Sequence, residues 1–261
     1  MDRRSFLRAA GAAGITGTAA TAGCLGGSGG EPVELTNETD GYPQPPENVP
    51  EERSIDTASF STTSVEGTDV PLAPIEAALY WHRRREARFA DARGESQYER
   101  SRITGAVLSP APDGGDSDPV AAWPEEDRIV CYCGCPHHLS SLRAASLIES
   151  GYEEVYVIDE GFWAWQDGGY PMAGSAVTDR PETRAIRGRT GAEFAGEMAW
   201  AWHDASGQRE AAPIDADGGY LLELKFSGLT RTTPIRVETP AYELQAPLGD
   251  LLSGVVTGPD E

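Results

Sequence analysis

Two periodicities of apolar and polar residues divide this chain. In the first half, runs alternate between helical and strand-like spacing. Ile75, Ala78, Leu79 and His82 recur at helical intervals and predict a helix over about 74–87, with Arg83 to Arg85 on its solvated face. "RFADAR" reads as a short buried strand ending in Asp91-Ala92-Arg93, and a second short strand is expected near Ala106 to Leu108. "APDGGDSDP" is loop, and "RIVCYC" is a third strand. "SSLRAASLIESG" predicts a helix with Leu142, Ala145, Leu147 and Ile148 on one side, Ser140 or Ser141 as its N-cap and Gly151 as its stop. "EVYVID" is a fourth strand, and "GFWAWQDGGYP" an aromatic turn with a terminal helix. Strands alternating with helices imply an α/β domain, a parallel sheet flanked by helices, over 66–177.

After "AVTDRPETR" the period changes to two. Met198, Trp200 and Trp202 share one face, as do Tyr220, Leu222, Leu224 and Phe226, and Ile235 and Val237 extend the pattern. A small antiparallel all-β domain, sandwich-like, is expected over 178–261 with a short acidic tail and with the tryptophans in its core. It resembles small transthyretin-like or immunoglobulin-like modules in pattern alone. Asp215 and Asp217 read as a turn, with calcium as the alternative. This half specifies no function beyond a possible protein partner.

The first 24 residues read as an address. Arg3-Arg4-Ser5-Phe6-Leu7 matches a twin-arginine export signal, a soft apolar stretch follows, and Thr21-Ala22-Gly23-Cys24 resembles a lipobox whose cysteine is lipidated. The expected location is the outer face of the cytoplasmic membrane, held by lipid on Cys24. Residues 25–65, rich in Gly, Pro and acidic residues, read as a flexible tether. Charge sharpens this picture. The chain holds 42 acidic against 21 basic residues, and Lys225 is its single lysine. Such a surface repels nucleic acid, which is excluded as a partner. An acidic excess with almost no lysine resembles the proteins of extreme halophiles.

Chemistry concentrates in "CYCGCPHHLSS". Three of the four cysteines stand at alternate positions, followed by His137 and His138. Cys131 and Cys133 point to the same side of a strand, and Cys131, one step deeper, reads as a small buried apolar residue. A strand running into a tight loop and then a helix gathers backbone N–H groups and the helix dipole around one point. Cys133 faces that point, so its thiolate is stabilised. Cys135 lies close enough to act as a resolving thiol or to form a disulfide. The run also offers soft ligands and imidazoles suited to zinc or copper(I), but its ligand spacing is short and no second pair follows, so no metal is expected.

Five segments in order resemble the rhodanese family. They are Asp91-Ala92-Arg93 at the end of a core strand, "SRITGAVLSP", "IVCYC", "LRAASLIESGYEEVYVIDEGFWAW" and "GGYPM". The resemblance implies sulfurtransferase activity: a persulfide on Cys133 passes sulfane sulfur to a thiol, sulfite or cyanide, with no cofactor. The loop Gly134, Cys135, Pro136, His137, His138, Leu139 and Ser140 would bind a small sulfur-containing anion or thiol, supported by Asp91 and Arg93. The loop departs from the family by its extra length and its lack of arginine, Arg143 being already on the helix. The alternative is therefore a catalytically silent rhodanese-fold binding protein, metal- or redox-responsive through the Cys-His run.

Overall fold

The computed structural model describes residues 40–258. The elements in chain order are β1 (Ser61–Val65), β2 (Thr68–Ala73), α1 (Ile75–Arg84), β3 (Arg88–Asp91), α2 (Glu95–Arg100), β4 (Arg102–Ile103), β5 (Val107–Leu108), β6 (Arg128–Tyr132), α3 (Leu139–Glu149), β7 (Glu154–Ile158), α4 (Gly161–Asp167) and β8 (Met172–Ala173). There follow β9 (Arg184–Arg189), β10 (Met198–His203), β11 (Gln208–Pro213), β12 (Gly219–Leu224), β13 (Pro234–Glu238), β14 (Glu243–Pro247), α5 (Leu248–Leu251) and β15 (Val255–Val256). Among the described residues no helix is long and apolar enough to cross a membrane.

Six strands form the first sheet in the order β1-β2-β7-β6-β3-β5. The run from β2 to β5 is parallel, as the alternation of helix and strand requires. The edge strand β1 is antiparallel to β2, so the sheet is mixed rather than purely parallel. Its parallel strands are buried on both faces, which is why they read as continuous apolar runs. Val130, Tyr132, Tyr156 and Ile158 face α1 and α4, packing with Trp81, Phe162 and Trp165. Ile129, Cys131, Val155 and Val157 face α3, packing with Ala144, Ala145 and Leu147.

Three local expectations are corrected. Helix α1 stops at Arg84 instead of about 87, because Arg85 turns into the left-handed region (φ 56°) and releases the chain toward β3. Helix α3 begins at Leu139 with His138 at the N-cap, so neither Ser140 nor Ser141 caps it. The segment from residue 40 to 65 is not a free tether. The Phe89 N–H donates to the Gly41 carbonyl at 2.8 Å, the Arg53 N–H to the Tyr80 hydroxyl at 2.7 Å, and β1 is a sheet strand. Arg88 sits over the rings of Tyr42 and Trp123, a packing that composition alone does not reveal.

Residues 184–256 build two further sheets, β11-β10-β13-β14 and β12-β9-β15. All pairs are antiparallel except β9 with β15. Ile186 and Leu222 from one sheet and Ala199, Ala201, Ile235 and Val237 from the other share one apolar cluster. The tryptophan expectation inverts here. On β10 the inward positions are Ala199 and Ala201, while Trp200 and Trp202 stack on each other outside that cluster, ring centroids 5.3 Å apart. A small inward residue lets the sheets approach, and the indoles serve a different contact. Trp200 and Met198 pack against Cys133, Cys135, Leu139 and Leu142.

That contact joins the two halves. The Gln97 side-chain oxygen Oε1 accepts the N–H groups of Gly94 and Arg209 at 3.0 and 3.1 Å, and the Arg209 guanidinium donates to the Ala111 carbonyl at 3.0 Å. The approach at Gly94 is so close that a Cβ there would lie 1.9 Å from the Gly207 carbonyl oxygen. The cysteine loop lies in this seam.

Candidate functional site

The loop starts where β6 ends. Its peptide groups are held by the turn before α4: the Phe162 N–H donates to the Cys133 carbonyl at 3.0 Å. Gly161 has φ 74°, in the left-handed region that favours glycine. His137 also adopts the left-handed region (φ 68°), unusual for a residue with a side chain. Its Nε2 lies 2.7 Å from both the carbonyl and the carboxylate of Asp159, which ties the strained turn to the end of β7. Pro136 is exposed at the tip, whereas Gly134, Cys135, Leu139 and Ser140 are buried.

Cys133 is fully buried at the N-terminal end of α3. Its sulfur lies 3.2 Å from the Ser140 hydroxyl and 3.9 Å from the Cys135 sulfur, and as a thiol it donates to the Cys135 carbonyl at 2.8 Å. The expected ring of N–H groups is thus reduced: Ser140 provides an N–H and a hydroxyl, and a carbonyl faces the sulfur as well. Burial pushes the Cys133 thiol up, but the hydrogen bonds from Cys135 and Ser140 reverse this and bring it down to about 6. Cys135 is raised well above the ordinary thiol range by its hydrogen bond toward Cys133, by burial and by Glu210. Cys133 faces the helix N-terminus while Cys135 faces the Glu210 carboxylate, which sets the two thiols apart. Cys131, buried in the sheet, is pushed up to about 12, in keeping with a packing residue. All three are free thiols.

In reduced, metal-free protein the first thiolate to appear on raising pH belongs to Cys133, with a midpoint of about 6. It is mostly ionised at neutral pH and protonated below that midpoint. The check is thiolate ultraviolet absorbance against pH, with Cys133→Ser subtracted. A first midpoint near the ordinary thiol value of about 8.5 contradicts it.

Beneath the loop, Asp91 and Arg93 form a buried bidentate pair. Arg93 Nε donates to one carboxylate oxygen at 2.9 Å and its terminal nitrogen to the other at 2.6 Å. The guanidinium lies over the Phe162 ring, 3.8 Å from its centroid, and reaches the Ser101 carbonyl. The same arginine passes under Gly134, where a Cβ would meet its side chain at 3.8 Å. Arg143 is committed elsewhere, to Ser109 and Asp118.

Several contributors come from the second half of the chain and lie outside the sequence expectations. Glu210 on β11 is buried and accepts from the Cys135 thiol and the Ala211 N–H, both at 3.0 Å. His138 Nδ1 lies 3.8 Å from the same oxygen. Burial acts to lower the His138 pKa, but Glu210 outweighs it and holds the imidazole above its ordinary value. Lys225 donates to the Gly134 carbonyl at 3.3 Å. Trp163 adds a buried indole N–H with no partner among the described residues. The available signal was alternation itself: Gln208 and Glu210 occupy inward positions of β11, where apolar residues are the rule.

Two hollows flank the loop. One, of about 20 Å³, is lined by Arg93, Gly134, Trp163, Glu210 and Lys225 and has room for a single water. The other, of about 260 Å³, lies on the Pro136 to His138 side against Val65, Met198 and Pro213. Cys24 lies outside the described residues.

Residues 76–168 match the Rhodanese-like domain family. Among solved structures, the chain is similar to the rhodanese-like domain of the Alr3790 protein from Anabaena sp., determined by solution NMR. That match has 22% identity, covers 43% of this chain and 85% of that one, and has a TM-score of 0.38. It is also similar to the BH2092 protein from Bacillus halodurans (19% identity, 40% and 77% covered, TM-score 0.36). A third is a rhodanese with anions from E. coli (23% identity, 33% and 95% covered, TM-score 0.28). The central part of the chain is a rhodanese-like domain with a mixed sheet.

Proposed function

We propose that the rhodanese-like domain is a sulfurtransferase with Cys133 as its nucleophile. The observation that carries this reading is the placement of the Cys133 sulfur at the end of β6 and the start of α3, with the Ser140 hydroxyl at 3.2 Å. The Cys133 thiolate attacks the sulfane sulfur of a donor such as thiosulfate. The new S–S bond makes a persulfide, and the donor's S–S bond breaks with its electron pair leaving on sulfite. A thiol, sulfite or cyanide then takes the outer sulfur and restores the thiolate. His138, held above its ordinary pKa, and Lys225 supply positive charge near the loop where the family's arginine is missing. Asp91 and Arg93 hold the floor.

The 20 Å³ hollow is too small for thiosulfate, so the reaction requires the loop to swing out, with the 260 Å³ groove as the space available. The test is intact mass of reduced, metal-free protein after thiosulfate and then cyanide. The expected result is a gain of one sulfur that cyanide removes; no gain rejects the reading. Complete burial of Cys133, and the Cys135 carbonyl turned toward it, favour the second reading, a silent rhodanese-fold binding protein. Rhodanese-like domains include both kinds.

The same proposal includes a salt-adapted protein exported by the twin-arginine route and anchored through Cys24, on motifs in residues 1–39, outside the described ones. Cys24→Ser is expected to move the protein from the membrane fraction to the soluble fraction. Unchanged fractionation rejects the anchor.

A further inference from the structure

We propose that Cys133, Cys135, His138 and Glu210 form a zinc site bridging the cysteine loop and β11, and that zinc binding and persulfide formation exclude each other. Cys135, His138 and Glu210 place their ligand atoms within 4.8 Å of one another. Cys133 is the fourth ligand of the proposed site: its sulfur is 3.9 Å from that of Cys135 but lies outside the 4.8 Å group, so it must move inward to bind. Zinc–sulfur bonds of about 2.3 Å at a tetrahedral angle separate two sulfurs by about 3.8 Å. Two further edges are the 3.0 Å contact of Cys135 with Glu210 and the 3.8 Å separation of Glu210 from His138. Nitrogen and oxygen ligands at about 2.0–2.2 Å need an edge of about 3.4 Å, so shifts of about half an ångström close these two edges.

The chemistry of the set selects the ion. Two thiolates, an imidazole and a carboxylate suit zinc, while the carboxylate disfavours copper(I). The short Cys-x-Cys spacing argues against a structural zinc only while the loop is considered alone. Glu210, 75 residues away in sequence from Cys135, is the ligand from outside. His138 lines the 260 Å³ groove, which is an entry path. Binding displaces the Cys135 thiol proton, and the Cys133 proton where one is present, to solvent. With its sulfur on zinc, Cys133 gives up part of its negative charge and is fixed in the buried seam, so it cannot turn out toward a donor sulfur. That consequence rests on the sulfurtransferase reading; the binding does not.

The test uses the reduced, metal-free full chain and cobalt(II) as the probe, displaced by zinc. One equivalent is expected to give thiolate-to-cobalt charge-transfer absorption with tetrahedral bands. Cys135→Ser lowers the charge-transfer intensity, and Glu210→Gln weakens zinc by at least about tenfold. Where Glu210→Gln does not fold, His138→Gln, which is only half-buried, reads the same loss. Absence of the bands, or bands and affinity unchanged in these variants, overturns the site. Sulfur uptake is measured alongside. Uptake by metal-free protein that binds no metal sinks the zinc site and keeps the transferase. Metal binding without uptake keeps the site and sinks the transferase. Undiminished uptake in zinc-loaded protein removes Cys133 from the ligand set and overturns the proposed exclusion.

Discussion

Cys133→Ser is expected to take up no sulfur from thiosulfate, and sulfur transfer to cyanide is expected to fall roughly 10³-fold or more. The reason is chemical. A serine oxygen cannot form the S–S bond that stores sulfane sulfur, and its proton is held far more tightly than that of a thiol placed beside Ser140. The fold should survive, because a hydroxyl at this position can bond the same groups, the Ser140 hydroxyl and the Cys135 carbonyl. An unchanged denaturation midpoint and circular dichroism separate lost chemistry from lost structure. Cys135→Ser provides the contrast. Its sulfur bonds Glu210 from a position that keeps it protonated, so uptake should persist, with any loss arising in release of the sulfur. Retained turnover in Cys133→Ser would transfer the role to another thiol and end the assignment.

What could be read from the chain divides along physical lines. The parallel core was legible because its strands are buried on both faces and read as apolar runs, Ile129 to Tyr132 and Val155 to Ile158. The position of Cys133 was legible because a strand end before a helix is a local feature. The orientation of β10 was not, since Ala199 and Ala201 or Trp200 and Trp202 could equally face inward; the choice is set by the seam with the first half, not by β10 itself. Glu210 and Lys225 reach the cysteine loop only through tertiary folding, and local pattern assigns neither a partner. The stretch from residue 40 to 65 looked like tether because its packing relies on backbone carbonyls and on arginine over aromatic rings, which carry no periodicity.

Asp91→Ala is expected to cost about 3–5 kcal/mol of folding stability, the largest structural effect of a single change at the site. Asp91 is fully buried and the Arg93 side chain nearly so. Removing the carboxylate leaves a guanidinium out of water with, among the described residues, the Ser101 carbonyl and two aromatic faces beside it, which are no substitute for an anion. Arginine cannot escape the cost by losing its proton. The denaturant midpoint should therefore drop with an unchanged slope. The paired change Asp91→Leu with Arg93→Met removes both charges and should recover much of the loss, because the penalty belongs to the orphaned ion. It should not recover the loop. Arg93 runs beneath Gly134, so the double variant keeps a stable core but loosens the floor under Cys133. Sulfur uptake should then fall while the midpoint is largely restored. A cost below about 1 kcal/mol for Asp91→Ala would place the pair in water, in the range of exposed ion pairs, and would remove the support it is assigned here.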